Sequence, residues 1–111
     1  MLLTELFGAS ATFSDANKTI TFDLDDLTSI TDTSLVTAAN IDTWADRVAA
    51  ALVLQWKAAN TANTDPTDGI YVGDPYKSFE TRGDTSQISF NYTVSIYIDD
   101  TVPDLDPDLV A

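Results

Sequence analysis

The sequence contains no cysteine and no histidine, and it has five basic residues against 18 acidic ones. Without cysteine and histidine the chain cannot form disulfides, thiolate nucleophiles, Cys/His zinc sites or an ordinary Ser-His-Asp triad. It also lacks a Gly-rich phosphate-binding loop. The sequence therefore predicts a protein that is not an enzyme and that needs neither a cofactor nor a metal.

The shortage of Lys and Arg leaves a formal net charge of −13 at pH 7. Nucleic-acid backbones and anionic membrane surfaces attract cationic proteins, so we expect neither as a partner. No stretch approaches the roughly 20 apolar residues that span a bilayer. Sixteen of the acidic residues are Asp, which favours caps, turns and loops, so we expect the charge at edges and connections.

What the chain does contain is typical of a folded domain. It has 111 residues, of which 44% are hydrophobic, enough for one core without disulfides. The sequence predicts a single α+β domain over residues 10–99. We expect an N-terminal arm over residues 1–9 and an acidic, Pro-containing C-terminal arm over residues 100–111.

The two predicted arms both contain apolar side chains. Those of the N-terminal arm would be costly to leave in water, so we expect it to dock on this subunit or on a neighbour. In the C-terminal arm, Pro103 and Pro107 exclude a helix interior and an inner strand. That segment is therefore either disordered or an extended arm laid on a partner.

One long amphipathic helix is predicted between residues 41 and 59. Apolar residues recur there at spacings of three and four, the period of a helix with one buried face. Asn40 or Thr37 can serve as the N-cap, and Asn60 can end the helix in the left-handed conformation.

Two hairpins are predicted on either side of the helix. In the first, residues 10–14 and 18–24 flank a turn-forming Asp-Ala-Asn cluster. In the second, residues 76–82 lead into Gly83-Asp84, and residues 85–99 lead out. That outgoing run is longer than most strands, so we expect it either to bend into two pieces or to overhang its sheet.

The order hairpin, helix, hairpin predicts an α+β fold, with an antiparallel sheet of two hairpins and the helix across one face. The alternating row from Ile88 to Ile98 would meet the apolar stripe of the helix. Ile20, Phe22 and Leu24 would join the same core.

Two acidic motifs are candidates for chemistry. The run Asp23-Leu24-Asp25 and its apolar strand resemble the first motif of the haloacid-dehalogenase phosphatases, in which the first Asp is the nucleophile. Leu27, however, occupies the position where that motif has a hydroxyl. The alternating acids of residues 104–108 resemble a calcium loop but lack its glycine and distal glutamate. We interpret both motifs as turn chemistry.

The apolar arm, the Thr/Ser/Asp-rich strands, the Ile88–Ile98 row and the Pro/Asp tail together resemble the small accessory structural proteins of tailed-bacteriophage virions. The resemblance is one of pattern over the whole chain. It implies a capsid cement or decoration protein on the capsid surface that cross-links major capsid protein subunits by strand addition and arm docking. It also implies a homo-oligomer, either a dimer or a trimer.

The side chains expected to touch a partner are the large apolar ones of the arms and of the last strand. They are Leu2, Leu3, Leu6, Phe7, Tyr97, Leu105, Leu109 and Val110. The expected partner is the major capsid protein or another virion protein. Two alternatives stay open: a phage tail or neck completion protein, and an acidic DNA mimic that inhibits a DNA-binding protein.

Overall fold

The computed structural model of the chain describes residues 1–62, 68–98, 100 and 104–110. The chain divides into two compact units, residues 1–64 and 65–111. It contains one long helix and antiparallel two-stranded hairpins, so the predicted α+β class is confirmed. The predicted division into two arms around one domain stays a prediction.

The first unit contains two helices and a small hairpin. Its elements are α1 (Leu3–Phe7), β1 (Thr12–Ser14), β2 (Thr19–Thr21) and α2 (Ile41–Ala62), with 3-10 turns at Leu24–Asp26 and Thr33–Leu35. The predicted first hairpin is present but shorter than expected, with Phe13 opposite Ile20. Ile20 was predicted to lie in the core, yet it is exposed. The strand stops after Thr21, so the alternation does not continue into a buried face.

The predicted long helix is confirmed as α2, and it ends two residues beyond the predicted stop at Asn60. Asn60 is buried within the last turn. At the other end, the Asn40 side chain points back along the chain. Its Oδ1 accepts from the Thr37 N–H at 2.8 Å and its Nδ2 donates to the Leu35 carbonyl at 2.8 Å. Asn40 therefore fixes the turn that leads into the helix.

The N-terminal segment docks on its own unit, one of the two outcomes that the sequence left open. The Trp56 indole N–H donates to the Leu6 carbonyl at 3.0 Å, and Gln55 Nε2 donates to the Glu5 carbonyl at 3.0 Å. Both acceptors lie at the end of α1, where helical carbonyls lack partners within the helix. Side chains of α2 thus complete the hydrogen bonding of α1.

The second unit is a two-stranded ribbon with a break in the middle. Its strands are β3 (Ile70–Val72), β4 (Tyr76–Arg82), β5 (Thr85–Asn91) and β6 (Val94–Ile96). β4 pairs with β5, and β3 pairs with β6. Among the described residues near the C-terminus there is a 3-10 turn at Pro107–Leu109, after which Val110 forms a bridge with Ile98.

The long run predicted over residues 85–99 is divided at Tyr92 and Thr93, so it bends into two pieces. Residue 99 lies outside the described residues. On the opposite strand, three residues (73–75) face those two, so that strand has one extra residue, as in a β-bulge. Pro75 among them has no N–H to give to a ladder.

Few large side chains are fully buried in the described part of the chain. The buried hydrophobic residues there are Ala11, Leu27, Ala51, Ala59 and Val72. The prediction that the Ile88–Ile98 row forms a core is wrong for most of its members: Ile88, Phe90, Val94 and Ile96 are all exposed. A ribbon of two strands has too few neighbours to cover its own apolar face. Within the described residues, no helix has the length and apolar character needed to cross a bilayer.

Candidate protein-interaction surface

The hairpin formed by β4 and β5 turns its apolar side chains to solvent. Phe79 pairs directly with Ile88, and Phe90 lies on the same face opposite Lys77. The exposed fractions are 79% for Phe79, 51% for Ile88 and 56% for Phe90. The Lys77 ammonium lies 5.5 Å from the centre of the Phe90 ring, within cation–π distance. We call Phe79, Ile88 and Phe90 the apolar hairpin face.

The other face of the same hairpin is polar and partly covered. Ser78, Ser89 and Asn91 are each half-buried there. The Ser89 hydroxyl lies 3.0 Å from Asn91 Oδ1, and Asn91 Nδ2 donates to the Tyr76 carbonyl at 3.3 Å. The remaining side chains of that face are exposed, so neither face of the hairpin is covered, whereas a sheet normally buries its apolar face. The apolar hairpin face is therefore open to a partner.

The two edges of the hairpin are also open within the described residues. β4 and β5 pair with each other in a sheet of two strands. Such edges present backbone N–H and C=O groups that a further strand can bind. The turn between the strands begins with Gly83 at φ +62°, as two-residue hairpin turns with glycine in the first position require.

The β4–β5 hairpin has no net charge, although the whole chain is strongly acidic. Residues 76–91 contain two cations, Lys77 and Arg82, and two anions, Glu80 and Asp84, so their net charge is zero. The entire excess of −13 lies elsewhere in the sequence. On the apolar side the charged residue of the two strands is Lys77, and Glu80 and Arg82 lie on the polar side.

A second candidate surface is a groove of about 420 Å³ in the first unit, between α2 and residues 29–35. Leu35 and Leu54 line it, and the Arg47 guanidinium lies 4.6 Å from the centre of the Trp44 ring. Asp32 borders the same groove. The Ser34 hydroxyl and then the Ser34 backbone N–H donate to its carboxylate, and these bonds hold the pKa of Asp32 below its usual value.

The predicted partner-binding residues differ in exposure. Four lie in the first unit: Leu2 is exposed, whereas Leu3, Leu6 and Phe7 are half-buried in and around the docked α1. The other four lie in the second unit, where Tyr97, Leu105 and Leu109 are exposed and Val110 is half-buried beside Ile98. Contact of these eight residues with a partner stays a prediction.

The apolar hairpin face was missed as a site by the sequence analysis. Ile88 and Phe90 were assigned to the core because they alternate with polar residues, and Phe79 was not singled out. Two signals in the sequence could have indicated this surface. Lys77, Phe79 and Thr81 alternate with polar residues on the strand that pairs with Ile88 and Phe90, and the charges of the hairpin cancel.

The acidic motifs serve turns in the structure. Asp25 accepts a hydrogen bond from the Thr33 hydroxyl, and Asp26 accepts one from the Ser10 N–H at 3.0 Å. Asp106 accepts from the Asp108 N–H at 3.0 Å. Residues 1–62, 68–98, 100 and 104–110 contain no cluster of three or more His, Cys, Asp or Glu placed to hold a metal ion.

Comparisons of this chain with protein-family models, with curated proteins and with solved structures find no match.

Proposed function

We propose that this chain is a structural accessory protein of a virus particle, of the capsid cement type, which joins neighbouring protein subunits. The observation that carries the proposal is the β4–β5 hairpin, whose apolar face and strand edges are open to solvent. Large exposed apolar patches on small proteins mark sites of protein–protein contact. An open edge adds a second mode of binding, the addition of a strand from a partner.

The distribution of charge supports a protein partner with basic patches. Residues 1–64 contain eight acidic and three basic residues, a balance of −5, and residues 65–111 contain ten and two, a balance of −8. Acidic loops of this kind steer a protein toward a basic surface and set its orientation there. The exposed leucines near the C-terminus, Leu105 and Leu109, would then supply affinity.

The test is to count copies of this chain in purified particles from cells that produce it, by quantitative mass spectrometry against the major capsid protein. We expect many copies per shell. A few copies per particle would instead indicate a tail or neck component, and absence from particles would overturn the virion role.

The same measurement tests the predicted contact residues near the C-terminus. Leu105→Ser combined with Leu109→Ser removes two exposed apolar side chains without touching the hairpin. We expect roughly a tenfold loss of binding to particles, which corresponds to the transfer energy of about two partly buried leucines. Unchanged binding would remove these residues from the proposed contact.

A further inference from the structure

We infer that the apolar hairpin face binds the same face of a second copy of this chain, so that two hairpins pack face to face about a two-fold axis. The inference rests on the proposed assembly function and deepens it by naming the occupant of the hairpin face. Phe79 and Ile88, which pair across the two strands, lie at the centre of the contact.

The charge of the hairpin is the first reason to assign a second copy. Two copies of a chain with net charge −13 repel each other over most of their surfaces. Residues 76–91 have no net charge, so the hairpins can approach without that local penalty. A basic partner, by contrast, is drawn to the acidic loops outside the hairpin.

The chemistry of the face is the second reason. A two-fold contact requires a patch that complements itself, and a flat row of Phe79, Ile88 and Phe90 does so by apolar packing. With the two hairpins antiparallel about this centre, Lys77 of one copy lies opposite the uncharged Thr81 of the other, so that like charges do not meet. Lys77 lies over Phe90, and its aliphatic stem adds to the apolar side.

The size of the face sets the expected strength of the dimer. Three partly exposed side chains form a patch on the order of a few hundred Å² per copy, so the total buried area falls below about 1,200 Å², in the range of weak and transient contacts. We therefore expect a reversible dimer that forms between roughly 1 µM and 1 mM protein.

The experiment measures the mass of the isolated full chain across that concentration range by sedimentation equilibrium. The wild type should shift from monomer to dimer, and Phe79→Ser should weaken the dimer roughly 10- to 100-fold because each interface loses two phenyl rings. The matched control is Tyr76→Ser. Tyr76 is 67% exposed on the opposite face of the same hairpin, so its loss should change the dimer constant less than about threefold.

A second measurement remains valid if Phe79→Ser unfolds the hairpin. The chain has no cysteine, so a single introduced thiol carries one spin label per copy. Ser86→Cys places the label on the apolar side of β5, and Gln87→Cys places it on the polar side of the same strand, both at exposed positions. In a face-to-face dimer the distance between Ser86 labels is shorter than that between Gln87 labels, because the apolar sides face inward.

The outcomes separate this inference from the proposed function. A monomer throughout the concentration range, or equal label distances as expected for edge-to-edge pairing, overturns the face-to-face dimer. Neither result concerns particle association, which the copy count tests. A dimer whose chain is absent from particles would retain the inference about the hairpin and overturn the virion role.

Discussion

Gly8 determines the course of the backbone immediately after α1. It follows α1 with φ +101°, a conformation that residues with a side chain rarely adopt. A Cβ at this position would lie 2.6 Å from Asp26 Cβ. Asp26 in turn accepts a hydrogen bond from the Ser10 N–H. The turn that follows α1 therefore packs closely against the 3-10 turn at Leu24–Asp26, and a hydrogen bond joins the two.

Replacing Gly8 by alanine should therefore destabilise the protein. We expect Gly8→Ala to lower the free energy of unfolding by roughly 1–3 kcal/mol, because the new methyl group meets both backbone strain and a close contact. Urea denaturation followed by tryptophan fluorescence measures the change.

Gly73→Ala is the control for this substitution. At Gly73 the backbone is not in the left-handed region, and the nearest atom to a new Cβ is 3.7 Å away. We expect its free energy of unfolding to stay within about 1 kcal/mol of the wild type, or to rise slightly. Equal losses for the two variants would contradict the role of the close contact at Gly8.

For single residues, the sequence predicted the turn-forming role of the acidic residues but not the contact between Gly8 and Asp26. The acids near residue 25 were interpreted as turn formers. That Gly8 needs to be glycine because of Asp26 could not be predicted, since the two residues come together only through the fold.

Among the elements, α1 depends most clearly on a neighbour. A helix of five residues is too short to be stable alone, and side chains of α2 supply its hydrogen-bond partners. The Phe7 and Phe22 rings, with centres 5.6 Å apart, add an apolar contact to the segment that follows β2.

Trp56→Phe should loosen α1 while it keeps most of the apolar packing. The substitution removes the indole N–H that binds the Leu6 carbonyl, so we expect a loss of about 1 kcal/mol in the free energy of unfolding. Hydrogen exchange at the α1 amides should become faster. In the control, Trp44→Phe, the ring that contacts Arg47 is altered and exchange in α1 should not change.

The helix and the hairpins could be predicted because apolar spacing and turn-forming residues are properties of neighbouring residues in the sequence. Apolar spacing placed α2 to within a few residues, and Gly83-Asp84 placed the turn between β4 and β5. Alternation also identified the residues that share a face with Ile88. It could not indicate whether another element covers that face, so a row assigned to the core proved to be exposed.

For the whole molecule, the charge gives the two proposed interactions opposite salt dependences. Self-association brings together two chains of net charge −13, so added salt screens their repulsion and should strengthen the dimer. Binding of acidic loops to a basic capsid surface should weaken as salt rises.

Measurements at about 20 mM and 300 mM NaCl, where the screening length differs several-fold, separate the two interactions. Sedimentation gives the dimer constant and co-pelleting gives the binding to particles. A dimer that weakens with salt would show that it is held by charge contacts and not by the apolar hairpin face.

The tip of the hairpin has a practical consequence. A Cβ at Gly83 would meet nothing within 4 Å, and the two-residue turn lies at the far end of both strands. A peptide spliced between Gly83 and Asp84 would project into open space, leaving the strand pairing intact. If the protein coats a particle, that position offers a place to display foreign epitopes or enzymes in a regular array.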